Sequence, residues 1–280
     1  MLSKATIIIH HQYFEEMAYQ TGNIKYNGSF KNIRQWRNRK DPKTYAGEKG
    51  GANRDLIMNN PAFVRTRENM WEFRGCGVAV KAIRQGLLAL IPEHTDTHFT
   101  DRLTSLIKKI NLTDLEGVRG GRAICFSLNR PMLKTMTFHE IKKIDFELKK
   151  RIRTSHPVSR GEATITVNGL NPNPSFFPGN AQYYRIINHL SIISDYIYIE
   201  DGDLYEPISQ LNSKFAINYS DFIPVNTPLI TSVKTTFPEG TLLTESDTVI
   251  QSVGIEFYLK SGVDRYLPYS AGSMMVYDVF

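Results

Sequence analysis

The segment Gly117-Val118-Arg119-Gly120-Gly121-Arg122 (GVRGGR) decides how this chain folds, because the hydrophobic period changes across it. Before it, in FTDRLTSLIKKI (99–110), Phe99, Leu103, Leu106, Ile107 and Ile110 recur on one helical face, while Arg102, Lys108 and Lys109 point elsewhere. After it the period is two. KIDFELK (143–149) alternates Ile144, Phe146 and Leu148 with charged neighbours, and ATITVNGL (163–170) alternates Ile165 and Val167 with threonines. Further strand candidates are QYYRIINHLSII (182–193), YIYIEDGDLYEPI (196–208), PLITSVKTTF (228–237), VIQSVGIEFYL (249–259) and SMMVYDVF (273–280). Asp201-Gly202, set between two apolar runs, is the strongest hairpin signal in the chain. About seven short strands at this spacing predict a β-sandwich over 126–280.

Upstream, NIKYNGSFKNIRQWRNRKDPKTYAGEKGG (23–51) reads as two strands around a polar turn at 38–43, closed by Gly50-Gly51. Asn60-Pro61 then starts a helix, since asparagine caps free amides and proline at the first helical position sacrifices no hydrogen bond. That helix is expected to run toward Ile91, bent at Gly75 and Gly77, until Pro92 stops it. Cys76, Val80, Ile83, Leu87 and Leu90 form its apolar stripe. The fold class expected is therefore α+β. A basic N-terminal region over 1–125, with a β-hairpin and two helices, precedes the sandwich.

Composition narrows the function. At 280 residues the chain can bury a sizeable core. It has no apolar run of about 18 residues to span a membrane. Ala5 to Ile9 is too short for a secretory core, which predicts a cytoplasmic protein with an N-terminal strand or arm. Two cysteines, Cys76 and Cys125, suit neither a zinc site nor a disulfide framework. The net charge of +6 conceals an asymmetry: residues 1–160 hold 29 Lys/Arg against 15 Asp/Glu (+14), and residues 161–280 hold 5 against 13 (−8). Such a division points to a basic surface that meets an acidic partner, either nucleic acid or another copy of the chain.

Motifs for chemistry are weak. GEKGGANR and GVRGGR lack P-loop spacing, and RGCGVAVKA lacks the third glycine of a dinucleotide turn. His94 and His98 are four apart but lie in a loop with no third ligand, which reads as a surface pair. The carboxylates of EDGD (200–203) read as a solvated hairpin tip, able to hold calcium only weakly. Neither a nucleophile elbow nor a cysteine with an evident histidine partner is present. These readings imply no catalytic residue, no cofactor, no metal and no small-molecule ligand.

Two basic clusters remain, 31–54 and 142–153. In the first, Lys31, Arg34, Trp36, Arg37, Arg39, Lys40 and Lys43 interleave charge with an aromatic ring, the pattern that grips phosphates and stacks on bases. On a strand, however, Trp36 and Arg37 fall on opposite faces, as in a half-buried hairpin.

YAGEKGGANRDLIMNNPAFVRTRENMWEFRGCGVAVKAIR (45–84) resembles the N-terminal signature of an uncharacterised protein family from bacteria of the Bacteroidetes group. The positions that carry it are Ala46, Glu48, Lys49, Gly50, Gly51, Asn60, Pro61, Ala62, Phe63, Arg65 to Asn69, Glu72, Phe73, Lys81 and Arg84. Segments 102–110, 119–122 and 254–268 extend the likeness. Gly47 stands in place of an arginine, Asn60 in place of an aspartate, and QWRNRKDPKT (35–44) in place of a different turn. The resemblance implies a shared architecture and supplies no activity.

The preferred reading is a non-enzymatic scaffold that associates head to tail with copies of itself, the two charge classes meeting between neighbours. The alternative is a nucleic-acid-binding module built on the N-terminal hairpin. On the scaffold reading, Glu48, Gly50, Gly51, Pro61, Phe63, Arg65, Arg67, Glu68, Asn69, Glu72 and Phe73 have structural duties. Arg65 and Arg67 are expected to pair with Glu48, Glu68 or Glu72.

Overall fold

The longest strands form where the sequence is apolar without alternation. β7 (Tyr183–Ser194) and β13 (Asp247–Lys260) are buried on both faces over most of their length, as strands covered on two sides must be. A computed structural model describes residues 18–23, 25–37, 43–141, 146–170, 179–263 and 265–280, and shows an α+β protein with several antiparallel sheets. The chain divides into two compact units, 1–63 and 64–280.

In the first unit, β1 (Ala18–Tyr19), β2 (Gly28–Phe30), β3 (Ile33–Arg37) and β4 (Thr44–Glu48) form a sheet in the order β1-β4-β3-β2. The expected hairpin is present as β3–β4, with Trp36 paired to Tyr45, and the sheet extends it on both edges. A two-residue turn with Lys31 at φ +51° joins β2 to β3. The short helix α1 (Arg54–Asn59) follows, capped by Asn53 Oδ1, which accepts from Leu56 N at 2.7 Å. Asn60 Oδ1 accepts from Ala62 N at 2.9 Å and opens a single 3-10 turn, Pro61–Phe63.

The second unit begins with the helix α2 (Val64–Gly86), which continues without a break through Gly75 and Gly77. Gly75 makes room for Tyr205, whose ring would lie 2.5 Å from a Cβ there. Pro92 does not terminate this helix. It sits in the first turn of a separate short helix, α3 (Ile91–His94), the position where its missing amide costs nothing. α4 (Phe99–Asn111) buries Phe99, Leu103, Ile107 and Ile110 as its spacing predicts, and α5 (Arg130–Leu133) follows. Residues 142–145 lie outside the described part. The remainder of KIDFELK is helical in α6 (Phe146–Arg151), and the strand begins only at β5 (Ile152–Ser155).

β6 (Glu162–Leu170) buries Ala163, Ile165 and Val167 and leaves the intervening threonines half-exposed, so its alternation correctly predicted one covered face. β8 (Tyr196–Ile199) and β9 (Leu204–Pro207) form the predicted hairpin, with Gly202 at φ +99° in its turn. β10 (Phe215–Tyr219), β11 (Ile223–Pro224) and β13 flank β7, and β14 (Tyr266–Val279) pairs with the far side of β13. β12 (Leu229–Thr236) joins β6 and β5 in a three-stranded sheet.

Three apolar clusters fix the layers. Ile187, Ile193, Ile250 and Val276 on one face of the five-stranded sheet pack with Cys76, Ile83, Leu103 and Ile107 of the helices. On the opposite face, Ile186, Val253 and Ile255 pack with Ile152, Ile165 and Val233 of the three-stranded sheet, and Leu190, Ile192 and Val249 with Ala163 and Phe237. Asn188 crosses this second seam. Its Nδ2 donates to the carbonyls of Ala163 (2.9 Å) and Val233 (3.0 Å), and its Oδ1 accepts from Gln251 Nε2 at 3.0 Å. Helices α2 and α4 therefore share a core with the strands, and the division at Phe63/Val64 replaces the expected boundary between 125 and 126.

Candidate functional site

Of the seven basic and aromatic candidates in the first unit, Arg39 and Lys40 lie outside the described residues. Lys31 occupies the β2–β3 turn, with its Nζ 5.8 Å from the Phe30 ring centroid. Arg34 and Arg37 are both exposed but, three positions apart on β3, they project from opposite faces. Trp36 stacks on Tyr45 at 6.0 Å and covers Gly47, so its ring is engaged within the sheet. Lys43 precedes β4, Glu48 ends it, and Gly50 and Gly51 follow, Gly51 at φ +96°. The sheet gathers no basic stripe on one face among its described residues. The first unit does leave Tyr26 (65% exposed) before β2, Phe30 (73%) and Ile33 in the sheet, and Leu56 and Met58 in α1 exposed, and Thr44 is the only buried residue among its described ones.

The signature block in the second unit is a lock between two motifs distant in sequence. Arg65 Nη1 pairs with Glu68 Oε2 at 2.9 Å, as expected, and Arg119 Nε approaches the same oxygen at 3.4 Å while its Nη2 donates to Asn69 Oδ1. Glu72 departs from expectation. It is buried and accepts from Lys108 Nζ, from Gly120 N at 2.9 Å and from Arg122 Nη1 at 3.3 Å. Burial alone would raise its pKa, but these donors and charges outweigh that and hold the carboxylate below its usual range. Arg122 is tied in turn by Asn111 Nδ2 and Tyr205 Oη, both donating to its carbonyl. Asn69 and Glu72 of the RTREN…EF block thus fasten the GVRGGR loop to α2.

A second polar cluster arose without warning from the sequence. Glu256 on β13 accepts from Arg185 Nε at 3.0 Å and from the Tyr258 hydroxyl, and His94 Nε2 lies 3.4 Å away. The Arg185 guanidinium lies 3.8 Å from the Tyr219 ring centroid and also faces Phe222 and Tyr258. Burial opposes the ionisation of Glu256, yet the His94 and Tyr258 hydrogen bonds and the Arg185 charge hold its pKa at about 2. His94 is therefore a buried residue fastening α3 to the sheet, which corrects the expectation of a surface pair. Only His98 is exposed, 3.5 Å from Asp101. Among the described residues, no group of three or more His, Cys, Asp or Glu is placed to hold a metal.

A concave surface lies along the helices. A groove of about 490 Å³ runs between α2, α3 and the start of α4, floored by Gly77, Val80 and Ile91 and edged by Phe73, Lys81, Arg84, Leu88, Thr100 and Thr104. Phe73 (61% exposed) and Leu88 (65%) stand at its ends. Phe73, Gly77, Lys81 and Arg84 recur every three or four residues on the outward side of α2, and Leu88, in the turn just past its end, continues their stripe to a length of about 22 Å. That spacing was legible in the sequence beside the buried stripe that begins at Cys76. No helix among the described residues is long and apolar enough to cross a membrane. Family models, curated proteins and solved structures give no match to this chain.

Proposed function

We propose that this chain is a non-enzymatic structural protein that associates head to tail with copies of itself into a homo-oligomer or filament. The observation that carries the reading is the first unit, whose four-stranded sheet buries one described residue and leaves Tyr26, Phe30 and Ile33 exposed. Sheets of this size gain stability by covering an apolar face, and a second copy supplies that cover most economically. Charge favours the same reading. Residues 1–63 hold 10 Lys/Arg against 5 Asp/Glu and residues 64–160 hold 19 against 10, opposite the −8 of residues 161–280. On this view the two facing sheets are a β-sandwich that serves as the rigid body of each subunit, and the RTREN and RGGR blocks keep it so.

Light scattering of the full chain against concentration and ionic strength tests the proposal. Particles several times the 32.0 kDa chain are expected at low salt, shrinking when Phe30 and Ile33 are both changed to serine. A strict monomer at every concentration would contradict it. The nucleic-acid reading, in which Arg34 and Arg37 contact phosphates, predicts instead a monomer retained on DNA with steep salt dependence.

A further inference from the structure

Given that self-association reading, we infer that one contact between subunits is the insertion of the β8–β9 hairpin of one copy into the α2 groove of the next. The two surfaces are complementary in both charge and polarity. The groove offers Phe73 and Leu88 with Lys81 and Arg84 between them, all exposed. The hairpin, 196–207, contains Glu200, Asp201, Asp203 and Glu206 and no Lys or Arg. Its strands alternate so that Tyr196, Tyr198 and Tyr205 turn toward the body of the unit, while Ile197, Leu204 and Glu206 are exposed. An apolar face bordered by carboxylates thus matches an apolar groove bordered by cations.

The chain cannot make this contact with itself. Tyr205 anchors the hairpin over Gly75, and at about 100° per residue Gly75 lies roughly 150° around α2 from the centre of the groove stripe. One helix therefore carries the acidic projection on one side and the basic socket on nearly the opposite side. A contact between such different surfaces is heterologous, and it extends into a ring or a filament. A stable pairwise interface buries about 800 Å² per partner, more than a stripe one helix wide and about 22 Å long presents. The contact is accordingly weak on its own, strengthens with concentration and falls with salt.

The test uses full-length protein in three forms, measured by light scattering up to several hundred micromolar. One variant reverses the groove (Lys81→Glu with Arg84→Glu) and another reverses the hairpin (Asp201→Lys with Glu206→Lys); all four positions are exposed, and circular dichroism checks that both variants fold. Each alone is expected to need more than about tenfold higher concentration for half-association than the parent. Mixed one to one, they are expected to assemble again, because each variant's altered surface matches that of the other. If the parent assembles while both variants assemble equally well, this contact is overturned and the self-association reading survives. Two monomeric variants that do not rescue one another in the mixture also overturn it. A parent that stays monomeric throughout overturns both.

Discussion

The two units of this chain each form an antiparallel sheet, a short-stranded one in the first and a long-stranded one in the second, and treat them oppositely. In the second unit the five-stranded sheet is covered on both faces, and Ile187, Ile250 and Val253 are lost to solvent entirely or nearly so. In the first, the strands are paired just as regularly, yet Phe30 and Ile33 stand exposed and no described side chain but that of Thr44 is buried. Strands are paired through their backbones in both, whereas among the described residues buried hydrophobic side chains, the dominant favourable term in folding, are found only in the second unit. A sheet in the latter condition is either marginal or finished by something else; on the self-association proposed above, the first unit would supply the contact surface and the second its support.

Side-chain truncation should separate the units most widely. Phe126→Ala, at a fully buried position in the second unit, is expected to cost about 3–5 kcal/mol in urea unfolding. Phe30→Ala is expected to change the dilute chain by less than about 0.5 kcal/mol. Equal costs would remove the distinction. Glu72→Ala belongs with the large effects, at about 3–5 kcal/mol, since it strands Lys108 and Arg122 beside a buried gap.

Acid should act next, through the core of the second unit. His189 is fully buried beneath α2, stacked on Phe215, and neither ring nitrogen has a hydrogen-bond partner of good geometry, although the Gly86 carbonyl is near enough to favour protonation weakly. Burial lowers its pKa from 6.5 to about 4. The folded chain therefore resists taking up a proton that the unfolded chain accepts, and stability is lost as pH falls from about 6.5 to about 4, by about 3 kcal/mol in all. Glu256, with its pKa depressed from 4.5 to about 2, adds a further loss between those values. His189→Leu should abolish the upper window and leave the lower one, as read from urea midpoints at successive pH values.

Much of the support region was legible in the sequence, and the reasons are local. Asp201-Gly202 set the hairpin, Ile165 and Val167 set the covered face of β6, and the Phe99 to Ile110 spacing set α4. KIDFELK misled because three alternating apolar residues also fit a short helix; residues 146–151 are helical, and the strand waits until Ile152. Glu72 was one of three acids offered to Arg65 and Arg67, of which Glu68 pairs with Arg65; the partners of Glu72 lie 36 to 50 positions downstream, and tertiary packing chooses them. Likewise nothing local announces that Glu256 meets His94 and Arg185. The charge asymmetry was visible at once, but the surfaces that carry it were not, because the opposite sides of α2 are resolved only once Tyr205 is seen against Gly75.

That last pair gives a sharper and smaller test. Gly75→Ala should destabilise the second unit by about 1–3 kcal/mol, since the added methyl meets the Tyr205 ring, overriding the usual helical preference for alanine. At Gly77 a Cβ meets nothing within 4 Å, so Gly77→Ala should stabilise α2 by up to about 1 kcal/mol. Thermal melts of the two variants moving in the same direction would mean that the hairpin is not seated there. The smallest effect expected is on the exposed Arg65–Glu68 pair, with a coupling of about 0.3–0.5 kcal/mol in a double-mutant cycle.

The central claim, that the first unit acquires its apolar cover from another copy, is tested most directly by amide hydrogen exchange of the full chain at low and high concentration. Residues 28–37 and 44–48 should exchange rapidly in dilute solution and become protected as particles grow, while β7 and β13 exchange slowly under both conditions. Strong protection of those strands at the lowest concentration, or none where scattering shows large particles, would contradict it.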